Sequence, residues 1–597
     1  MTPSLDLVAI GRVSVDLYGQ QVGSRLEDVL TFAKGVGGCP ANVVIGAARL
    51  GLKSALITRV GDEPMGRFVR EQLAREGVDT RGVRPDPARL TSLVLLSVRD
   101  AETFPLIFYR DNCADGALGP EDVDEELIAA ARAVLVTGTH FSLTGGARAQ
   151  RKAIEVARAH GGKVVLDVDY RPNLWGIGGH GAGESRYARS ARVTEALAAV
   201  LPDCDLIVGT EEELHIAAGC EETLAAARRI RARSHAVIVC KRGPLGCVVF
   251  PGAIPERLEE AQVVPGMAIE VYNVLGAGDA FLAGFLLGYL RAAPHETSAR
   301  YGNACGALAV SRLLCSAEFP TRRELEHYLA HGSRERALRA DAALSHLHWV
   351  TAGRRGPPAV CALTVADPEP PTQPQAPGLG LLAVQAAAAV GSGREGYGVL
   401  LGRPDPAALR EGQQRSLWLA RRAGPVAQLI EWPSGITVVY RYSQAREPEL
   451  AALAGACRAQ GRELLLEVDM DGERAPRAEE LGALMARVYA LGVRPDWWAL
   501  AAQLAADPAQ RCAEVLAEHD RDCRGVLVTL EAAGTASSAL AAAAGSSIVR
   551  GFIAGGSIFA DVAAAWRSGQ MAAESVSAAI AQRFRTLVDA WVRGGGH

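Results

Sequence analysis

The sequence predicts an α/β protein in two units, a doubly wound and mainly parallel sheet with a β projection, followed by a (β/α) barrel. Three patterns carry this reading. Short apolar runs alternate with helical stretches through residues 1–350, as in a doubly wound sheet. Seven prolines fall between positions 357 and 377 and interrupt the pattern, marking a boundary. Strand-like and helical stretches then alternate again in six or seven units over about 220 residues, a density that favours a barrel over a second open sheet.

In the first unit the expected strands are 5–10, 54–59, 133–137, 163–167, 206–208 and 236–240. Residues 91–109, rich in Val, Leu, Phe and Tyr with alternating polarity, suit an antiparallel projection. A helical tail over 301–343 closes the unit. Residues 351–378 read as a linker or remodelled domain start containing one short strand-like run, 359–365. The barrel is expected over 379–597, with strands at 397–401, 436–442, 463–468, 496–500, 525–530 and 547–553. The alanine-rich runs near 383–389 and 539–544 are helix rather than low complexity.

With 63 basic and 67 acidic residues the net charge is −4, too even for a nucleic-acid or anionic-membrane surface. No run of 18 apolar residues occurs, and the chain enters a strand without a basic region and cleavage site. We therefore expect a soluble, cytoplasmic homo-oligomer acting on small molecules, with neither nucleic acid nor membrane as partner. The twelve cysteines contain no CxxC pair; residues such as Cys240, Cys247 and Cys305 read as reduced, buried thiols. Lysine is scarce, at positions 34, 53, 152, 163 and 241 alone.

The most informative stretch is Asn273-Val274-Leu275-Gly276-Ala277-Gly278-Asp279-Ala280. A Gly-Ala-Gly turn opening the apolar helix that follows gathers backbone N–H groups and the positive helix end, a place to hold phosphate. Asp279, in the first turn, is expected to stay ionised and to accept a hydroxyl proton during phosphoryl transfer. Upstream, Gly35-Val36-Gly37-Gly38-Cys39-Pro40-Ala41-Asn42 precedes a second apolar helical run, 43–50, which Gly51 stops. Two glycine-rich turns imply two ligand ends.

Together these turns resemble the paired motifs of the PfkB, or ribokinase-like, carbohydrate kinases. The resemblance implies a ribokinase-like doubly wound sheet with a β lid, about residues 91–112, over the sugar. In it Gly276, Ala277, Gly278 and Asp279 form the catalytic turn, while Asp16, Gly37, Gly38 and Asn42 hold sugar hydroxyls. Arg110, at the end of the lid, reaches the substrate. In Asp167-Val168-Asp169-Tyr170-Arg171 an Asp with an Arg two residues on is similar to the branch acting on sugar acids; Arg171 clamps the carboxylate unless it merely pairs with Asp169. Thr210-Glu211-Glu212-Glu213 corresponds to the family's Asn-x-x-Glu element, with Thr210 in place of Asn and Glu213 orienting water and Mg²⁺; an acidic helix start is the plainer alternative. Lys241, Gly243 and Gly246 match the nucleotide-side turn, and Asn303 the helix lining the adenine. Asn273-Val274-Leu275 departs from the commoner Asp-Thr-Thr, leaving a monovalent-cation site in doubt. ATP and Mg²⁺ are the implied cofactors. The implied reaction is phosphorylation of a sugar acid's primary alcohol, with 5-dehydro-2-deoxy-D-gluconate of inositol breakdown favoured over 2-dehydro-3-deoxygluconate, fructose or ribose. A sugar-acid-binding regulator is the alternative of another class.

Other phosphoryl-transfer and nucleotide signatures lose support: there is no GxxxxGK[ST] and no His-Arg-Asp with a later Asp-Phe-Gly, and Gly35-Val36-Gly37-Gly38 is not GxGxxG and lacks the usual acidic residue ending the next strand. In the second half, Arg494-Pro495-Asp496-Trp497-Trp498 and Gly551 to Phe559 resemble an aldolase-like domain. The chemistry argues against aldol cleavage. A Schiff base needs a lysine and none follows Lys241, while zinc needs a histidine cluster and only His519 and His597 lie beyond residue 351. A bifunctional kinase-aldolase thus stands behind a non-catalytic barrel that binds, assembles or retains a phosphate site at Gly555-Gly556.

Overall fold

The computed structural model describes residues 3–596 apart from 101–102, 180–186, 355, 366–377, 392–395, 403–404, 424–428, 430–431, 434, 469–477, 502–506, 531–535 and 556–558. The chain divides into two compact units, Met1–Ala352 and Gly353–His597.

The first unit is built on nine strands: β1 (Leu5–Ile10), β4 (Ser54–Gly61), β5 (Val83–Asp86), β8 (Ala131–Thr137), β9 (Lys163–Asp167), β10 (Leu206–Thr210), β11 (Val237–Lys241), β12 (Cys247–Phe250) and β13 (Gln262–Val264). Their order is β13-β12-β11-β10-β9-β8-β1-β4-β5. The six apolar runs expected as strands are β1, β4, β8, β9, β10 and β11, all joined in parallel register. Helices cover both faces, so these strands read as continuous apolar sequence. The three unanticipated strands extend the two ends; β12 and β13 are antiparallel, and β5 carries two exposed residues among its four.

A separate four-stranded sheet joins β2 (Ser14–Gly19), β3 (Phe32–Gly37), β6 (Leu93–Leu96) and β7 (Leu106–Tyr109) in the order β3-β2-β6-β7. The expected projection supplies only β6 and β7. Residues 14–37 supply the other half, which corrects two expectations: Asp16 lies within a strand, and Gly35 to Gly37 end β3 instead of forming a turn. The helix after them runs Cys39–Arg49, starting four residues before the apolar run. The Ala277–Tyr289 helix is buried on nearly every side, as its uniformly apolar sequence requires. Helices His295–Val310, Arg322–His331 and Ala342–His348 complete the unit.

The second unit is a closed barrel of eight parallel strands: β14 (Val360–Val365), β15 (Tyr397–Leu401), β16 (Trp418–Arg422), β17 (Ile436–Arg441), β18 (Leu464–Val468), β19 (Trp497–Ala501), β20 (Gly525–Leu530) and β21 (Val549–Ala554). The barrel starts earlier than expected: the short run inside the proline-rich stretch is β14, pairing with both β15 and β21. β16 escaped the apolar-run criterion because it ends Arg421-Arg422. Inward-facing residues, among them Val360, Leu400, Trp418, Leu465, Trp497 and Ile553, fill the barrel as a packed core. Gly555 donates its N–H to Leu530 O at 2.7 Å, and Gly556 lies outside the described residues. All twelve cysteines are unpaired, ten of them buried. Among the described residues no helix is long and apolar enough to cross a membrane.

Candidate active site

Open α/β sheets bind ligands beyond the carboxyl ends of their strands. Here that edge carries Arg12 just after β1, Asp167 at the end of β9, Thr210 ending β10 and Lys241 ending β11. The Ala277–Tyr289 helix brings its N-terminus to the same place. Gly276, at φ 79°, caps it, and a Cβ there would fall 2.6 Å from Cys315 Sγ, so no other residue fits. A Cβ on Gly278 would lie 3.1 Å from Lys241 Nζ. Amides of the first turn, the helix dipole and a buried ammonium therefore share one anion hole. Lys241 belongs to this hole more than to the Gly243–Leu245 turn of the expected nucleotide side. It is tethered by Asp167 Oδ1 at 3.4 Å and Glu213 Oε2 at 3.8 Å.

Asp279 stands in the first turn of that helix, its Oδ2 accepting a hydrogen bond from Asn42 Nδ2 at 2.8 Å. Asn42, expected on the sugar, is thus engaged with Asp279. Burial first, then the neighbouring Asp169, raises the pKa of Asp279 against the pull of the helix dipole. That suits a general base, which works best with a pKa near the working pH.

Asp16 is buried on β2, bonded by Ser14 Oγ at 2.7 Å and Tyr18 OH at 3.3 Å. Burial pushes its pKa up to about 6. A Cβ on Gly37, across the strand pair, would fall 2.0 Å from the Asp16 carboxylate. Gly37→Ala should therefore displace Asp16, raising the sugar KM by about tenfold or more with little change in the ATP KM; steady-state kinetics in each substrate checks this. Gly38, at φ 100°, caps the Cys39–Arg49 helix.

The sequence reading missed Arg12. Its guanidinium lies 3.3 Å from both oxygens of Asp169 and electrostatically faces Asp16 and Asp279. Asp169 is thus taken, and the alternative Asp169–Arg171 pair does not form. Arg171 instead donates to Tyr170 O at 3.0 Å and approaches Glu213 at 4.0 Å. Arg110 pairs with Asp115 at 2.8 Å; with Arg12, Phe108 and Ser14 these two line a small cavity beside the lid strands. His140, fully buried, has its pKa pushed down to about 3 by burial and then by Arg110 and Arg12, leaving these arginines as the cations there. Asp167 was also missed, although it ends a strand at the binding edge. One signal was available for Arg12: an arginine directly after a buried apolar strand, where solvent cannot account for its charge.

Glu213 takes the plainer reading of its motif, an acidic helix start. It closes a capping box with Thr210, accepting Thr210 N–H at 2.8 Å while Thr210 Oγ1 accepts Glu213 N–H at 3.2 Å, and it still faces Lys241 and Arg171. Gly243 opens the short turn after β11 and Gly246 closes it at φ 89°. Asn303 donates to Val264 O and Pro265 O, fixing the end of β13.

A parallel sheet whose binding edge joins a helix-terminal anion hole, a buried lysine and a carboxylate base beside a β lid is the architecture of a small-molecule kinase. The chain belongs to the pfkB family of carbohydrate kinases, whose model matches residues 4–322. A second family, described as an uncharacterized protein conserved in bacteria (DUF2090), matches residues 324–594. The 5-dehydro-2-deoxygluconokinase of Geobacillus kaustophilus is 32% identical over 330 residues, 54% of this chain and 93% of that protein. That of Bacillus subtilis is 30% identical over 331 residues, 55% of this chain and 96% of that protein. Among solved structures, a PfkB protein from Polaromonas sp. JS666 aligns at 27% identity with a TM-score of 0.46, covering 54% of this chain and 99% of that one.

Proposed function

We propose that the first unit transfers the γ-phosphoryl group of ATP to the primary alcohol of a sugar acid, 5-dehydro-2-deoxy-D-gluconate being the substrate. The observation that carries this reading is the convergence of Arg12 and Arg171 on the carboxylates around Asp279, with Arg110 next to Arg12. Neutral sugars have no use for that concentration of guanidinium groups, whereas a substrate carboxylate is bound by them. The names and near full-length coverage of the relatives support the same acid.

In the reaction, Asp16 and the end of β3 at Gly37 orient the sugar hydroxyls, and Asp279 takes the proton of the attacking alcohol. Lys241 and the amides of the Gly276 turn meet the negative charge on the transferring group. The donor set fits a divalent cation: Asp167 and Glu213 are buried carboxylates that both face Lys241 at the edge of the anion hole. Glu213 and Asp167 would hold Mg²⁺, directly or through water, and the ion supplies neutralisation of phosphate charge.

ADP release measured with 5-dehydro-2-deoxy-D-gluconate, 2-dehydro-3-deoxygluconate, fructose and ribose tests the reading: the first should give the highest kcat/KM, and a preference for a neutral sugar overturns it. Arg171→Ala should raise the acid's KM by about tenfold, in keeping with the roughly 1.5–3 kcal/mol of a charge-assisted hydrogen bond, and leave the ATP KM unchanged. An unaltered acid KM would make Arg171 structural.

We read the barrel as non-catalytic by aldol chemistry, since it contains no lysine to form an imine. A fragment ending at Ala352 should keep kinase turnover, because every group assigned to phosphoryl transfer lies before Gly306 and the helices that follow complete the unit. The assay counts once circular dichroism shows the fragment folded.

A further inference from the structure

One cysteine of the first unit has neighbours unlike those of any other. Cys39 opens the Cys39–Arg49 helix, Asp167 ends β9, and Asp279 lies in the first turn of Ala277–Tyr289. Three elements far apart in sequence thus bring one ligand atom each, a thiol sulfur and two carboxylate oxygens, within 4.8 Å of one another. Cys39 Sγ stands 3.9 Å from Asp167 Oδ2, while Lys241 approaches the other oxygen, Oδ1, so Asp167 divides its two oxygens between ammonium and thiol. A second observation concerns Asn42. Asn42 is 4% exposed; its Nδ2 holds Asp279, yet its Oδ1, on the same amide, is buried without any hydrogen-bond donor. A buried carbonyl oxygen of that kind needs a proton donor or a cation. Among the described residues no other group of three metal-ligating side chains converges in this way.

We propose that Cys39 Sγ, Asp167 Oδ2 and a carboxylate oxygen of Asp279 form a binding site for a thiophilic divalent cation of the zinc class, which silences the kinase when occupied. The ligand chemistry sets the class. Mg²⁺ takes oxygen donors in near-octahedral array, whereas a thiolate with two carboxylates is a zinc-type set, with bonds of about 2.3 Å to sulfur and 2.0–2.2 Å to oxygen. On binding, the thiol proton leaves to solvent, the sulfur donates its electron pair to the metal, and no redox change occurs. The inhibitory consequence rests on the kinase reading: an Asp279 oxygen engaged by metal no longer accepts the alcohol's proton.

The test uses the full chain in two arms. ADP release is followed at saturating Mg²⁺ against rising Zn²⁺, for wild type and Cys39→Ser, each normalised to its own zinc-free rate. Without substrates, one equivalent of Cd²⁺ is added and the thiolate-to-metal charge-transfer absorption is recorded for wild type, Cys39→Ser and Cys39→Ala. The expected result is half-inhibition at a Zn²⁺ concentration at least about tenfold higher in Cys39→Ser, with a cadmium band in wild type that both variants lose. The absorption arm needs no turnover, so it decides the site even if a variant is inactive or the kinase reading fails. Zinc sensitivity unchanged in an active Cys39→Ser, no band in wild type, or a band surviving in the folded variants overturns the proposal.

Discussion

Asp279→Asn should lower kcat by about a hundredfold or more while leaving ATP affinity within about twofold, because it removes the base and preserves the amides of the Gly276 turn. The substitution keeps the side chain's size, so loss of activity reports on proton transfer rather than on packing. The pH dependence gives an independent signature. Burial raises the pKa of Asp279, and a base works only when deprotonated, so kcat should fall as pH drops through a value above the ordinary carboxylate range. That acid limb should disappear in the variant. Turnover near the wild-type level, with the limb intact, would assign the proton to another group.

Lys241→Met is expected to damage both folding and catalysis. Lys241 is 11% exposed and Asp167 and Glu213 are 2% and 7% exposed, so removing the ammonium strands two carboxylates in the interior. Breaking a buried pair in this way costs about 3–5 kcal/mol, which urea unfolding of the variant measures. Protonation relieves the loss: burial already raises Asp167, and without the ammonium its pKa rises further, so the deficit should shrink as pH falls and grow as pH rises. The ATP KM should increase as well, since the anion hole loses its one lysine. An undiminished stability at neutral pH would mean that the two carboxylates are held by other groups.

Much of the fold was legible because parallel strands buried on both faces have to be apolar throughout. β1, β8, β9 and β20 declared themselves this way. β3, which contains Lys34 and two glycines, and β16, which ends in two arginines, obey no such rule; their assignment comes from long-range pairing, to β2 and to β15 and β17. The catalytic turn was readable because chemistry and backbone demand the same local residues: glycine for close approach, an acid one position later. Cys39 was not readable and Arg12 only as a charge following a buried strand, since their importance arises from partners 128 and 157 positions away. Asp16 was found from resemblance, but its dependence on Gly37 is a matter of strand register that spacing alone does not reveal. The proline-rich interval misplaced the barrel's start because prolines flank β14 without entering it.

The most direct test of the account is ³¹P nuclear magnetic resonance of the full-length protein with ATP, Mg²⁺ and 5-dehydro-2-deoxy-D-gluconate. Loss of the ATP γ signal should be matched by a new phosphomonoester resonance split by two methylene protons, the mark of transfer to a primary alcohol, and Asp279→Asn should abolish it. Release of inorganic phosphate alone, or an unchanged ATP spectrum beside active turnover of a neutral sugar, would contradict the assignment of a sugar-acid kinase.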